Sequence, residues 1–460
     1  MRINIIKTAI IFFHPRLGSL LAFTLLIALV SLTDAQSQTS FRGLMQNYNA
    51  VQTTPDYEFI AARNRFRVQL SQTVDIGNIY SEIDLIQRYE QSTSVEVLLR
   101  ELYVDWYRDT SDIRIGLQKI NWGRSNGAFV TDILSPVDLR EFLTQDPSDL
   151  VLGITALNYT RYFGSNSLQL IFNPINQRDL LPDQNSRWFP LQSIDGPLQV
   201  NFDIQQQPNR LADFQFAAAY RYRDLQNIDI DLFGFYWSHP SPAYGITVNL
   251  LSFPNPPSVL LTESYETSPM AGYSTEYRIG QNFILQSEFL YVHQKLFTFL
   301  PVSVSRLEDA LGSFGAALTL LQDFEIRDDG YLLTKPWTHF MIGFQTELWG
   351  ITLNSQAYLE TILKYEERIL PQQYFPYVTM LLSRSVLRDR LQVISLGRYN
   401  IYGEDFWFQL QGVYEAADGF EIALGTNLFG GNQISPFYGH FTFNQFKENS
   451  FIFSRVTLFF

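Results

Sequence analysis

The chain has 460 residues, no cysteine and a formal net charge of −13, with 33 basic against 46 acidic residues. An acidic balance of this size disfavours broad binding to nucleic acid or anionic lipid, and the lack of cysteine excludes disulfides and thiolate metal sites. Aromatic residues make up 15% and charged residues only 17%, below the roughly 25% charge of an ordinary soluble domain.

Residues 1–35 read as an export signal. Arg2, Lys7 and Arg16 give a basic start, Leu17 to Leu32 an uncharged apolar run, and small or polar residues surround Ala35, where cleavage is expected. A single membrane anchor is the competing reading of that run. Beyond it no apolar run is long enough for a spanning helix. Residues 36–61 read as a short segment ahead of the first strand, and 62–460 as one strand-rich domain.

Within 62–460 the apolar residues recur at every second position. Phe66, Val68 and Leu70 alternate with Arg65, Arg67 and Gln69, and Ile351, Leu353, Ala357 and Leu359 with Thr352, Asn354, Gln356 and Glu360. Phe406, Phe408, Leu410 and Tyr414 oppose Trp407, Gln409, Gln411 and Glu415. Period two marks strands with one apolar face. A soluble sandwich alternates too, but its strands average about 5–6 residues, whereas these run to about 10, enough for a tilted strand to cross a bilayer. Tyr and Trp gather near strand ends, and short turns such as Ala416–Gly419 and Leu387–Arg390 alternate with long links. The fold expected is therefore all-β: a transmembrane antiparallel β-barrel of about 16 strands, within a range of about 14 to 18, with long loops. Parity sends Arg65, Arg67, Arg114, Arg278 and Arg398 into the lumen, together with Glu82, Asp84, Glu276, Glu360 and Glu421. Mixed signs oppose strong ion selectivity, and the acidic surplus suits mild cation preference or divalent bridging to lipopolysaccharide.

One stretch departs from the strand rhythm. Ile113, Ile115 and Leu117 face outward, and Arg114, Gly116, Gln118 and Trp122 inward; then comes "GRSNGAFVTDILSPVDLREF", Gly123 to Phe142. Gly123 and Gly127 let the chain turn and Pro136 stiffens its return, so the loop is expected to fold into or across the lumen. Arg114, Gln118, Trp122, Arg124, Asp132, Asp138, Arg140 and Glu141 are the candidates for narrowing it, against a plain solvated loop face or a ligand site. No Lys-Ser/Thr follows the glycines, so this is not a phosphate-binding loop.

Three further links are long: Asn173 to Arg210, Leu251 to Pro269 and Lys295 to Lys335. Within the last, apolar residues from Leu307 to Leu321 recur at three and four residues after a Ser305–Glu308 capping pair, which suits a short helix; a strand over 315–324 suits the same residues. The chain ends on Phe460, with Leu458, Val456 and Ile452 on one face of a terminal strand. Phe460, Leu458 and Val456 look like the signal read by the barrel assembly machinery.

Gly116, Gln118, Trp122, Gly123, Gly127, Asp132, Pro136 and Asp138 together carry a family resemblance. The stretch from Glu101 to Pro174 resembles a poorly characterised family of Gram-negative outer-membrane barrels, similar to the alginate-export barrels. That family's genes often accompany exporters of the resistance-nodulation-division type. Leu117 departs from the pattern, since many relatives carry Arg there. The resemblance implies an outer-membrane channel or export porin for a small or hydrophobic solute, with lipid, lipopolysaccharide and an inner-membrane exporter as candidate partners. A non-channel barrel serving as exporter partner or surface adhesin remains open, as does a lipid-hydrolysing barrel. Ser125-Asn126-Gly127 resembles a motif of outer-membrane phospholipases, but Gly123 stands where their histidine base would lie. The five histidines, His14, His239, His293, His339 and His440, show no metal-ligand spacing. No catalytic residue, cofactor or metal is expected.

Overall fold

The computed structural model describes residues 38–90, 93–183, 186–189, 201–205, 213–249, 258–303, 330–432 and 442–460, with 305, 306, 309, 439 and 440. The export signal lies outside them, as does most of the helix or strand expected between 305 and 324.

Period-two alternation produces barrel strands of 8 to 17 residues, and three shorter strands of 5 to 7 residues lie outside the barrel sheet. The first seven are β1 (Gln38–Gln52), β2 (Phe59–Val74), β3 (Gly77–Arg88), β4 (Ser94–Arg108), β5 (Ser111–Gln118), β6 (Ile154–Phe163) and β7 (Asn166–Asn173). After them come β8 (Asn201–Gln205), β9 (Gln215–Leu225), β10 (Ile228–Ser238), β11 (Ala243–Asn249), β12 (Ser258–Ser264), β13 (Thr267–Ile279) and β14 (Phe283–Thr298). The last are β15 (Leu332–Leu348), β16 (Ile351–Ile362), β17 (Tyr374–Val386), β18 (Leu391–Asn400), β19 (Asp405–Ala417), β20 (Phe420–Gly431) and β21 (Phe451–Phe459).

All but β8, β11 and β12 join one 18-stranded sheet, at the top of the expected range. Its pairings are antiparallel, and β1 pairs with both β2 and β21. The sheet is therefore a closed barrel with no open edge. The seam runs in register from Leu44↔Phe459 to Gln52↔Phe451. This corrects the reading of residues 36–61 as a segment ahead of the barrel, because Gln38–Gln52 is its first strand. Its outward face starts apolar, with Phe41 and Met45 about half exposed. Asn47 and Asn49 then occupy the same parity, which breaks the alternation that marks the other strands.

Outward and inward faces separate cleanly. On β16, Ala357 and Leu359 are exposed while Asn354, Gln356 and Tyr358 are buried. Exposed Val104, Ile115, Leu170, Phe216, Leu232, Ile342, Met380, Leu424 and Ile452 place apolar side chains on the outer surface of strands all around the barrel. One end carries tight turns such as Asp75–Ile76, Trp349–Gly350 and Asp418–Gly419. The start of β1 and the end of β21 meet there: Gln38 pairs with Thr73, and the amide of Phe459 donates to the Gly419 carbonyl at 2.7 Å. The opposite end carries the long links. There β12 pairs parallel with β8 and antiparallel with β11, so two expected loops each supply one strand of a small three-stranded sheet, whose third strand, β11, precedes the second of those loops.

Candidate functional site: a loop pinned across the lumen

The link from β5 to β6, residues 119–153, turns inward. At its root the amide of Ile120 donates to the Ser135 hydroxyl at 2.9 Å. Trp122 is buried, stacks on Phe233 of β10 with ring centroids 5.1 Å apart, and donates its indole N–H to Gln169 of β7 at 3.0 Å. Burying an aromatic of this size stabilises by roughly 2–3 kcal/mol. Ile120, Val130, Ile133 and Leu134 fill the same apolar cluster against Ile154, Ile171, Met270 and Leu290 of the wall.

Beyond Trp122 the loop meets polar wall residues. Gly123 has φ 97, a left-handed conformation that side chains resist. This turn aims successive amides at one carboxylate, that of Glu288 on β14. The amides of Arg124 and Ser125 donate to Oε1, the latter at 2.7 Å. The amide and hydroxyl of Thr131 donate to Oε2 at 3.3 and 3.0 Å. The Arg124 guanidinium lies 3.0 Å from Glu276, 3.3 Å from Asp231 and 3.6 Å from Asp229. The amide of Asn126 donates to Gln356 at 3.0 Å and that of Gly127 to the Tyr358 hydroxyl at 3.3 Å. These partners stand on lumenal positions of β10, β13, β14 and β16, so the loop follows the inner wall. Gly127 abuts Thr379 of β17, and a Cβ there would collide with it. Phe129, at the tip, is 46% exposed. The Ser125 hydroxyl donates to the Ala128 carbonyl.

The second half crosses to the opposite wall. Asp132 accepts the Trp122 amide at 3.0 Å. Burial, reinforced by the neighbouring Glu288 charge and opposed by that amide, pushes its carboxyl up to about 7. The Pro136 carbonyl accepts the Leu152 amide at 2.8 Å, and Val137 bridges Val151, which folds 137–151 into a strap. Asp138 binds Arg140 at 2.7 and 2.9 Å, and Arg140 reaches Glu96 at 3.1 Å. Glu141 pairs with Arg63 and Arg88. Burial alone would raise its carboxyl, but the two guanidinium groups outweigh burial and hold it at about 2. Asp149 pairs with Arg65 and, at 2.7 Å, with Arg67. Burial opposes its ionisation too, yet Arg65, Arg67 and Arg100 keep it well below the carboxylate range. Arg100 donates to the Asp149 and Val151 carbonyls at 2.8 and 3.1 Å.

The structure thus divides the expected residues. Arg124, Asp132, Asp138, Arg140 and Glu141 lie on the inward loop. Arg114 is on the β5 wall, bound to Asp105 at 2.6 and 3.0 Å with its guanidinium 3.9 Å over Tyr103. Gln118 is fully buried and donates to the Ala156 carbonyl at 2.9 Å. Trp122 anchors the loop root. Val456, Leu458 and Phe460 are exposed on the outside of the seam, where Phe460 packs on Phe41 and Phe66. Beside the strap lies a hollow of about 400 Å³ lined by Arg42, Gln46, Arg67, Asp146, Glu421 and Arg455, among others. Glu288 and Asp149 were not singled out from the sequence. Parity alone would have turned Glu288 inward, but nothing local distinguishes Asp149 from a surface carboxylate.

No protein-family model and no curated protein matches the chain. Among solved structures, OccAB4 of Acinetobacter baumannii is similar with a TM-score of 0.50 at 7% identity, covering 93% of this chain and 98% of that one. OccAB3 of the same organism gives 0.49 at 7% identity, covering 93% and 100%. Pseudomonas aeruginosa OpdK, in its structure with vanillate, gives 0.48 at 7%, covering 92% and 98%. The likeness to OccAB4 is one of fold, a closed antiparallel barrel.

Proposed function

We propose that this chain is an outer-membrane channel of a Gram-negative bacterium that passes a small solute through a loop-narrowed lumen. The observation that carries the reading is the loop 119–153, bound to both walls of a closed barrel and flanked by a charged hollow. The apolar outer surface supports a bilayer setting, since a soluble protein rarely exposes so much of it. Barrel strands of this length suit a hydrocarbon core of about 30 Å. The tight-turn end would face the periplasm and the long links the outside, as such barrels are arranged. An inner-membrane exporter of the resistance-nodulation-division type is the partner implied by the sequence resemblance and is tested by co-purification.

Planar-bilayer recording of the refolded protein tests the channel. Discrete conductance steps are expected. Their absence, from protein that still migrates as a heat-modifiable barrel, would exclude an open pore.

A further inference from the structure

We propose that Glu288 is the positioning residue that sets the width of the passage, by stapling the neck of the loop tip. The inference rests on the channel reading for its consequence, but the staple itself is tested independently of conduction. Both ends of the tip, Arg124–Ser125 and Thr131, converge on this one carboxylate. Residues 126–130 lie between the two stapled ends, and they include the exposed Phe129 and the buried Val130. Among the described residues the carboxylate forms no ion pair, and its register partners Ser274 and Met341 are uncharged. Its hydrogen bonds among those residues all come from the loop.

The other anchors act elsewhere. Trp122 holds the root, the Arg124 side chain holds one flank, and Glu141 and Asp149 hold the returning strap. Within the tip, Asn126 and Gly127 make neutral hydrogen bonds to Gln356 and Tyr358, and Val130 is buried in the apolar cluster of the wall. Hydrogen bonds to a carboxylate are about twice as strong as neutral ones, so the staple outweighs those two polar contacts. Gly123 is its counterpart on the loop. Its φ of 97 creates the amide cradle, and a Cβ would stand 2.5 Å from the Thr131 hydroxyl and 2.9 Å from the Glu288 carboxylate.

The test compares the native chain with Glu288→Gln, Gly123→Ala and the double variant, each refolded as full barrel. Amide exchange over residues 124–131 and single-channel conductance are both read. Each single variant is expected to speed exchange of the Ser125 and Thr131 amides by about tenfold, the loss of one charge-assisted hydrogen bond. Conductance shifts with it, and the double variant goes no further than either single one. Faster exchange in barrels that never conduct would uphold the staple while the channel reading fails. Unchanged exchange in folded Glu288→Gln would overturn the staple. If that variant does not fold, unchanged exchange in Gly123→Ala does so.

Discussion

Glu288 and Asp132 are carboxyls of one neighbourhood with different surroundings. Glu288 receives four donors from the loop, whereas Asp132 accepts one amide. Burial of Asp132, with the Glu288 charge beside it and one amide to oppose them, pushes its carboxyl up from the ordinary 3.8 to about 7. The sign follows from the proton it retains. Below about pH 7 it is neutral, and above that it adds a negative charge beside the passage and weakens the loop's packing. Reversal potentials should move toward cation preference as pH rises from 6 to 8, and Asp132→Asn should abolish the movement. A pH-independent reversal potential in the native channel would refute this. Asp132 was legible as a loop carboxylate, and Gly123 as a turn. Their roles were not, because Glu288 lies far along the chain and nothing in the spacing joins it to Gly123.

At the scale of elements, the strap 137–151 and the strands β2, β3 and β4 form one ionic unit. Parity on β2 sends Arg63, Arg65 and Arg67 inward as a row, and this much is plain from the alternation. Asp84 sits opposite Arg67 in register and binds it at 2.6 and 2.7 Å. Glu82 lies 3.7 Å from Arg67, and Glu141 and Asp149 add counter-charge from the strap. Burying guanidinium groups without partners would be costly, so the row holds the strap as firmly as the strap holds the row. The hold of Glu141 is complete above the ordinary carboxylate value of 4.5 and is lost as pH falls through about 2. Replacing Asp149 with Asn should lower stability by about 3 kcal/mol, since it leaves Arg65 and Arg67 under-compensated. Urea melts of the refolded barrel read the change; an unshifted midpoint would mean that Asp84 and Glu82 suffice without the strap.

At the scale of the whole molecule, closure depends on the meeting of the first and last barrel strands, β1 and β21. Gly43 exchanges backbone hydrogen bonds with Phe460 at 2.9 and 3.1 Å. A Cβ on Gly43 would stand 2.3 Å from the Arg67 carbonyl oxygen of β2 and 2.5 Å from the Phe460 ring. Gly43→Val should therefore strain the β1–β2 pairing, displace the ring and reduce the yield of heat-modifiable barrel several-fold, a cost of about 1 kcal/mol or more at the seam. A native yield would show that both the β2 backbone and the ring can give way. This strand was missed in the sequence for a physical reason, since Asn47 and Asn49 interrupt its apolar face where the long-link end begins.

Strand identity and parity were thus determined by the sequence alone, because side chains at alternate positions meet two solvents and composition records which. The inward arginines, the outward phenylalanines and the turn at Gly123 all follow from that local rule. Only the tertiary structure decided that the barrel closes at eighteen strands and that the loop lies along its inner wall. It also decided that one carboxylate on β14 gathers both ends of the loop tip. These depend on pairings between residues distant in the chain, where free energy comes from geometry brought together by closure and leaves no periodic mark in the sequence.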